Sequence, residues 1–188
     1  AVKHLSQLAD IEFLMAEDMV EATQDAGVFV TASGVLKRVA VKLSKTANDL
    51  RLLSSGPRAG LGEINLPARQ AGSSIMPGKV NPVIPEVVNQ IAFAAIGNDV
   101  TVTMAAEAGQ LQLNAFEPIM CRALMMTITQ LRQGCYALAN HCVVGITANA
   151  DKLRKDVENS IGLVTALSPL LGYENATAVA QRALAEGV

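Results

Sequence analysis

Residues 84–107 read IPEVVNQIAFAAIGNDVTVTMAAE and carry the clearest structural signal in the chain. Apolar residues recur along one face at the spacing of an α-helix, at Val87, Ile91, Ala95 and Val102. The same stretch contains six polar residues, namely Asn89, Gln90, Asn98, Asp99, Thr101 and Thr103. Polar side chains flanked by valine and alanine in a helix indicate hydrogen bonds inside a bundle. The stretch therefore predicts a long helix packed against other helices.

Two further long helices are predicted on either side of this one. The first covers residues 17–53, and the second covers about residues 117–142. Gly27 and Gly34 inside the first predict close contact with another helix, because glycine otherwise weakens a helix by about 1 kcal/mol. Helices of about 25–35 residues greatly exceed the average of about 11–12. The predicted fold class is all-α, an elongated bundle of long helices without β-strands.

The predicted helices become shorter after Thr147. Asn149 or Asp151 is expected to cap a helix that ends near Asn159, and a last helix begins at about Asn175 after a turn around residues 169–172. This change predicts two domains. Residues 1–146 form a central helical bundle that is incomplete at its N-terminal side, and residues 147–188 begin a small C-terminal helical domain that is cut short.

Composition excludes several functional classes. The net charge is −2 without a basic run, which argues against nucleic-acid binding. Residues 133–150 lack formal charges, but five polar side chains interrupt them, so no membrane span is predicted. The sequence is 51% hydrophobic, which favours burial of apolar faces in an oligomer. Three cysteines in one helical stretch predict reduced core thiols and a cytoplasmic protein.

Helical periodicity is lost over residues 58–85, and this segment contains GSSIMPGKVNP at residues 72–82. A phosphate-binding P-loop does not fit, because the spacing of the glycines differs and valine follows Lys79. Lys79, Asn81 and the free N–H groups of the next helix suit a carboxylate. Ser73 and Ser74 could donate hydrogen bonds there, or one could act as a base under strong positive potential. A purely structural turn is an equally good interpretation of composition alone.

The loop resembles the signature of the fumarase/aspartase superfamily, Gly-Ser-Ser-x-x-Met-Pro-x-Lys-x-Asn. Further stretches that match the superfamily surround the loop, at residues 54–61, 63–67, 85–90 and 103–114. These stretches resemble the aspartases in particular. Class II fumarases share the serine loop but typically have a different, glycine-rich stretch where this chain has residues 104–109. Adenylosuccinate and argininosuccinate lyases share the core of the loop and little of the flanking sequence.

The resemblance implies a function and a role for each residue of the loop. Ser73 would be the general base, Ser74 would contact one substrate carboxylate, and Lys79 and Asn81 would bind the carboxylate that gains charge. Glu86 would pair with a histidine from another segment, or would simply stabilise the start of its helix. The implied reaction is reversible elimination of ammonia from L-aspartate to give fumarate, without a metal or organic cofactor.

The resemblance also implies a homotetramer in which each active site combines segments from three subunits. Two of those segments, one with threonine and serine and one with histidine, are not found in this sequence. His4 and His141 match no active-site histidine of the family. We therefore expect the 188-residue chain to lack lyase activity by itself. A fumarase-type hydratase and a non-catalytic helical assembly module remain the alternatives.

Overall fold

The computed structural model describes residues 1–70, 72, 75–76 and 78–187. The long helices are α3 (Gly27–Leu53), α4 (Val83–Glu107) and α5 (Glu117–Leu138), which a π-helical turn, Ala139–Val143, continues. The shorter helices are α1 (Val2–Ala9), α2 (Glu21–Gln24), α6 (Ala150–Glu158), α7 (Ser168–Leu171) and α8 (Tyr173–Glu186). The all-α fold class is confirmed.

The helix predicted over residues 17–53 is wrong at its start. Residues 17–20 are not helical, α2 ends at Gln24, and α3 begins only at Gly27. Asp25 lies between them in extended conformation, and its carboxylate accepts a hydrogen bond from the Gly27 N–H at 3.2 Å. Aspartate and glycine both favour a helix end over a helix interior. Gly34 does lie inside α3, but a Cβ there would meet nothing within 4 Å among the described residues.

The chain divides into two compact units, and residues 1–48 and 83–139 form the first. Small side chains dominate its core. One buried cluster contains Ala40 of α3, Ala92 and Ala95 of α4, and Leu131 of α5. A second cluster is centred on Met120 and Val102, both fully buried. Alanine at these contacts allows the three helices to approach closely.

Polar contacts between helices accompany this core, as predicted. The buried Asp99 carboxylate accepts hydrogen bonds from the Ser33 hydroxyl at 2.8 Å and from Lys37 Nζ at 2.5 Å. Asn89 Nδ2 donates to the Ser44 hydroxyl at 2.9 Å and to Asn48 Oδ1 at 3.0 Å, which links α4 to α3.

Asn98 also makes a contact between helices, because it donates to Thr127 Oγ1 of α5 at 3.0 Å. The prediction was wrong for Thr101 and Thr103. Their hydroxyls donate to carbonyls four residues earlier in α4 itself.

The second unit comprises residues 49–82 and 140–188. It contains two short antiparallel strands, β1 (Ile64–Asn65) and β2 (Thr147–Ala148), so the expectation of a fold without β-strands was wrong in this detail. Two residues are too few for an alternating pattern, so only the pairing reveals them. The segment before α8 is more helical than predicted, with a 3₁₀ helix, Ile161–Leu167, followed by α7. The predicted domains, 1–146 and 147–188, are a different division and stay a prediction.

The cysteine prediction was correct for one residue. All three thiols are free, but Cys121 and Cys135 on α5 are exposed and only Cys142 is buried. No helix in the described ranges has the length and apolar character needed to cross a membrane.

Candidate active site

The serine loop, residues 72–82, belongs to the second unit and leads into α4. The segment before it, residues 62–70, contains β1 and is called the stem below. Lys79 is exposed, and its backbone N–H donates to the Met76 carbonyl at 3.2 Å in a turn that contains Gly78. Gly78 has a φ of 80°, a left-handed conformation that glycine adopts without strain. This turn sets the direction in which the backbone reaches Lys79.

The two ends of the loop meet at Gly72 and Lys79. A Cβ atom added to Gly72 would overlap the carbonyl oxygen of Lys79, so a larger residue would push the Lys79 backbone away. Glycine is therefore required here for close approach of two backbone segments. The position of Lys79 consequently depends on the position of Gly72.

The other predicted site residues lie at the start of α4 or outside the described residues. Asn81 is half-buried two residues before the helix, and Glu86 is half-buried in its first turn. Lys79 and Asn81 belong to the second unit, whereas Glu86 belongs to the first. Ser73 and Ser74 lie outside the described residues, so their predicted roles remain predictions.

Asn149 holds the stem that leads into the loop. Its Nδ2 donates to the Gly62 carbonyl at 2.7 Å, and its Oδ1 accepts from Asn65 Nδ2 at 2.7 Å. The Asn149 backbone N–H donates to the Glu63 carbonyl at 2.9 Å. Asn149 precedes α6 as predicted, but its side chain makes no capping hydrogen bond to that helix. It binds the stem instead.

Arg69 makes a second attachment of the stem, closer to the loop. Its Nε donates to the His141 carbonyl at 2.8 Å, and one terminal nitrogen donates to the Asn140 carbonyl at 3.3 Å. Both carbonyls lie in the π-helical turn after α5, at the C-terminal end of the helical run, where the helix dipole attracts cations.

Cys142, in the same π-helical turn, is affected by this guanidinium. Burial raises the pKa of the Cys142 thiol, and the Arg69 charge lowers it by a smaller amount. The net shift favours the neutral thiol, so Cys142 is a poor nucleophile here.

Sequence reasoning missed Asn65, Arg69 and the role of Asn149. Arg69 and Asn149 bind backbone carbonyls, which every residue has, so residue type does not mark them. Asn65 lies in the family-like stretch 63–67, but only the structure shows its contact with Asn149. Together with Lys79 and Asn81 they describe one arrangement. The cationic side chain of Lys79 and the carboxamide of Asn81 lie close to the point where Gly72 meets Lys79, and the preceding segment is attached at two points, which suits binding of a carboxylate.

Comparison with known proteins places this arrangement in a family. A family model described as "Lyase" matches residues 1–97, more than half of the chain, and a model described as "Fumarase C C-terminus" matches residues 163–188. The chain belongs to this lyase family. The serine loop lies within the first match, so family membership covers the candidate site.

Individual relatives agree with the lyase family assignment. The chain is 60% identical over 187 residues to a Pseudomonas fluorescens protein named aspartate ammonia-lyase, covering 100% of this chain and 39% of that protein.

Two solved structures share the fold of this chain. A Brucella melitensis structure described as fumarate lyase:delta crystallin bound to cobalt superposes with a TM-score of 0.92 at 59% identity, over 99% of this chain and 40% of that one. A class II fumarase from Schistosoma mansoni gives a TM-score of 0.90 at 35% identity, over 97% of this chain and 41% of that one. The chain therefore spans about two fifths of the proteins that it matches.

Proposed function

We propose that the full-length protein carrying this sequence is an aspartate ammonia-lyase, which reversibly eliminates ammonia from L-aspartate to give fumarate. One combined observation carries the proposal. The serine-loop motif, with Lys79 and Asn81 just before α4, occurs in a chain that is 60% identical to a protein of that name. The proposed substrate is a small dicarboxylate.

In the proposed mechanism Ser73 acts as the general base. It removes a proton from the carbon next to one carboxylate of aspartate, and the electron pair of that C–H bond moves onto the carboxylate. The resulting aci-carboxylate carries two negative charges, so its stabilisation is the main catalytic requirement. The electron pair then returns to form the C=C bond of fumarate, while the C–N bond breaks and ammonia leaves.

Lys79 and Asn81 would stabilise the aci-carboxylate. The Lys79 ammonium supplies positive charge and the Asn81 carboxamide donates a hydrogen bond, and both interactions strengthen as the carboxylate gains charge. The same positive potential would lower the pKa of the Ser73 hydroxyl, which an ordinary serine requires before it can act as a base. Ser74 would donate to the other carboxylate of the substrate.

Glu86, in the first turn of α4, has a separate proposed role. There the helix dipole stabilises a carboxylate by about 0.3–1 kcal/mol. In the proposed enzyme this carboxylate pairs with a histidine from another segment and orients it.

The proposed enzyme is a cytoplasmic homotetramer with composite active sites. Large apolar side chains remain exposed on all three long helices of the chain, including Val35, Phe93, Met104 and Ile128. Exposed apolar residues along long helices favour burial against other subunits.

The proposed function is tested by comparing substrates on the full-length protein. We expect fumarate absorbance to rise with L-aspartate and to stay flat with L-malate. The Ser73→Ala variant should lose at least about 10³-fold in kcat, because no other group would take the proton. Ser168→Ala, a serine substitution on α7, is the matched control and should retain activity. Unchanged turnover in Ser73→Ala would overturn the base assignment.

A fumarase-type hydratase is the second candidate. Two observations favour it, namely the match to the fumarase C-terminal model and the 35% identity to a solved class II fumarase. Such an enzyme would form fumarate from malate and leave aspartate unchanged. The same assay therefore separates the two candidates.

A further inference from the structure

Arg69 is the described side chain that attaches the stem closest to the serine loop. Among the described residues, 66–70, 72, 75–76 and 78–82 form no helix or strand, so strand pairing does not hold the described backbone between Asn65 and α4. The strand pair and Asn149 hold residues 62–65. Beyond Asn65, the two hydrogen bonds from Arg69 to the carbonyls of Asn140 and His141 continue this attachment.

The planar guanidinium of Arg69 gives its contact with the two carbonyls a fixed direction. A guanidinium carries several N–H donors in a rigid plane, so binding two successive carbonyls restricts its orientation as well as its position. The accepting carbonyls end a long helical run, where the helix dipole adds attraction for a cation. A lysine at this position would keep the charge but would lose the planar pair of donors.

Arg69 lies close enough to the loop to control it. Three peptide steps separate Arg69 from Gly72, so their Cα atoms lie at most about 11 Å apart. Gly72 in turn contacts the backbone of Lys79. Hydrogen bonds thus join the π-helical turn to Arg69, the covalent backbone joins Arg69 to Gly72, and close approach joins Gly72 to Lys79, all inside the second unit.

From these two contacts and the short backbone link between them, we propose that Arg69 is a positioning residue for the lyase reaction, which sets where Lys79 meets the substrate carboxylate. The proposal rests on the proposed function and goes beyond it, because Arg69 lies outside the loop motif and touches no substrate. It acts through Gly72. Removing it frees the stem and lets Lys79 move, while the helices and their buried clusters stay intact.

Kinetics of Arg69→Met in the full-length protein test the proposal. A displacement of about 1 Å in a catalytic group reduces turnover by up to about 100-fold, so we expect kcat to fall about 10- to 100-fold. KM should change by less than about threefold, since Lys79 matters most for charge that develops in the transition state. Arg154→Met, an exposed arginine on α6 in the same unit, is the matched control and should keep wild-type kinetics.

Two further measurements separate positioning from simple stabilisation. Arg69→Lys should recover part of the lost kcat, and millimolar guanidinium should raise the kcat of Arg69→Ala while equal sodium chloride does not. Hydrogen exchange in Arg69→Met should accelerate in residues 66–72 and remain unchanged in α4. A merely structural role would lower the unfolding temperature without this kinetic pattern.

The outcomes distinguish this inference from the proposed function. If the wild type converts aspartate and Arg69→Met matches Arg154→Met in kcat, the positioning role is refuted and the lyase assignment stands. If the wild type does not act on aspartate, the proposed function fails and the kinetic role fails with it. Hydrogen exchange then decides separately whether Arg69 holds the stem.

Discussion

Replacing Asp99 with asparagine tests the polar contact at the centre of the first unit. The Asp99 side chain is only 7% exposed, whereas its partner Lys37 is 46% exposed. Asparagine keeps the shape and an oxygen that can accept from Ser33, but it lacks the charge and the second acceptor for Lys37. In the variant, Lys37 can turn towards water, while the buried Ser33 hydroxyl keeps its partner.

The expected loss in the free energy of unfolding follows from the exposed fractions of these two side chains. A hydrogen bond to a charged group contributes about 1.5–3 kcal/mol, and water screens part of it when one partner is half-exposed. We therefore expect Asp99→Asn to lower the free energy of unfolding by about 1–1.5 kcal/mol. Asp99→Ala also leaves the Ser33 hydroxyl buried without this acceptor, which adds about 1–3 kcal/mol. The larger truncation should therefore cost about 2–4.5 kcal/mol in total.

Urea unfolding of the full-length protein, followed by circular dichroism at one protein concentration, measures these losses. Asp156→Asn is the matched control, because Asp156 pairs with Lys152 at the same 2.5 Å but both side chains are at least 43% exposed. It should cost less than about 0.5 kcal/mol. Combining Asp99→Asn with Lys37→Met should cost less than the sum of the single changes. Equal losses in Asp99→Asn and Asp156→Asn would refute the argument from burial.

Two other predictions concern the second unit. Gly72→Ala should lower kcat/KM at least about tenfold, because the new Cβ displaces the Lys79 backbone. Gly97→Ala is the control, because a Cβ there would meet nothing within 4 Å. Equal kinetics in the two variants would contradict the prediction. Burial raises the pKa of the Cys142 thiol, so the unfolded chain loses this proton at lower pH than the folded chain. Stability should therefore fall as the pH rises above about 8.5, and Cys142→Ala should reduce that fall in urea titrations, whereas an unchanged slope would contradict it.

The long helices could be predicted from the sequence because their signal is local. Apolar spacing placed α4 and α5 correctly to within a few residues. The same signal failed at the start of α3, where periodicity continues through Asp25 but the carboxylate caps the next turn. Local hydrogen bonding of a single side chain overrode the pattern.

The sequence predicted only those residues of the candidate site whose side-chain type itself indicates a chemical role. The clustered hydroxyl, amine and carboxamide groups of Ser73, Ser74, Lys79 and Asn81 suggested a carboxylate site, and the resemblance of the loop to the family signature favoured that site over a structural turn. Their proposed roles await the assays above. Arg69 was not found, because its partners are backbone carbonyls 71 and 72 residues away.

By itself, the sequence determined the all-α class, the extents of α4 and α5, and the position of the loop before α4. These features depend on neighbours within a few turns, and side-chain type is enough to specify them. Only the tertiary structure decided which polar groups meet. The Asp99 carboxylate accepts hydrogen bonds from Ser33 and Lys37, and Arg69 donates to the His141 carbonyl at the end of the helical run after α5. Such pairs form when distant segments pack, and burial removes the water that would otherwise satisfy each group.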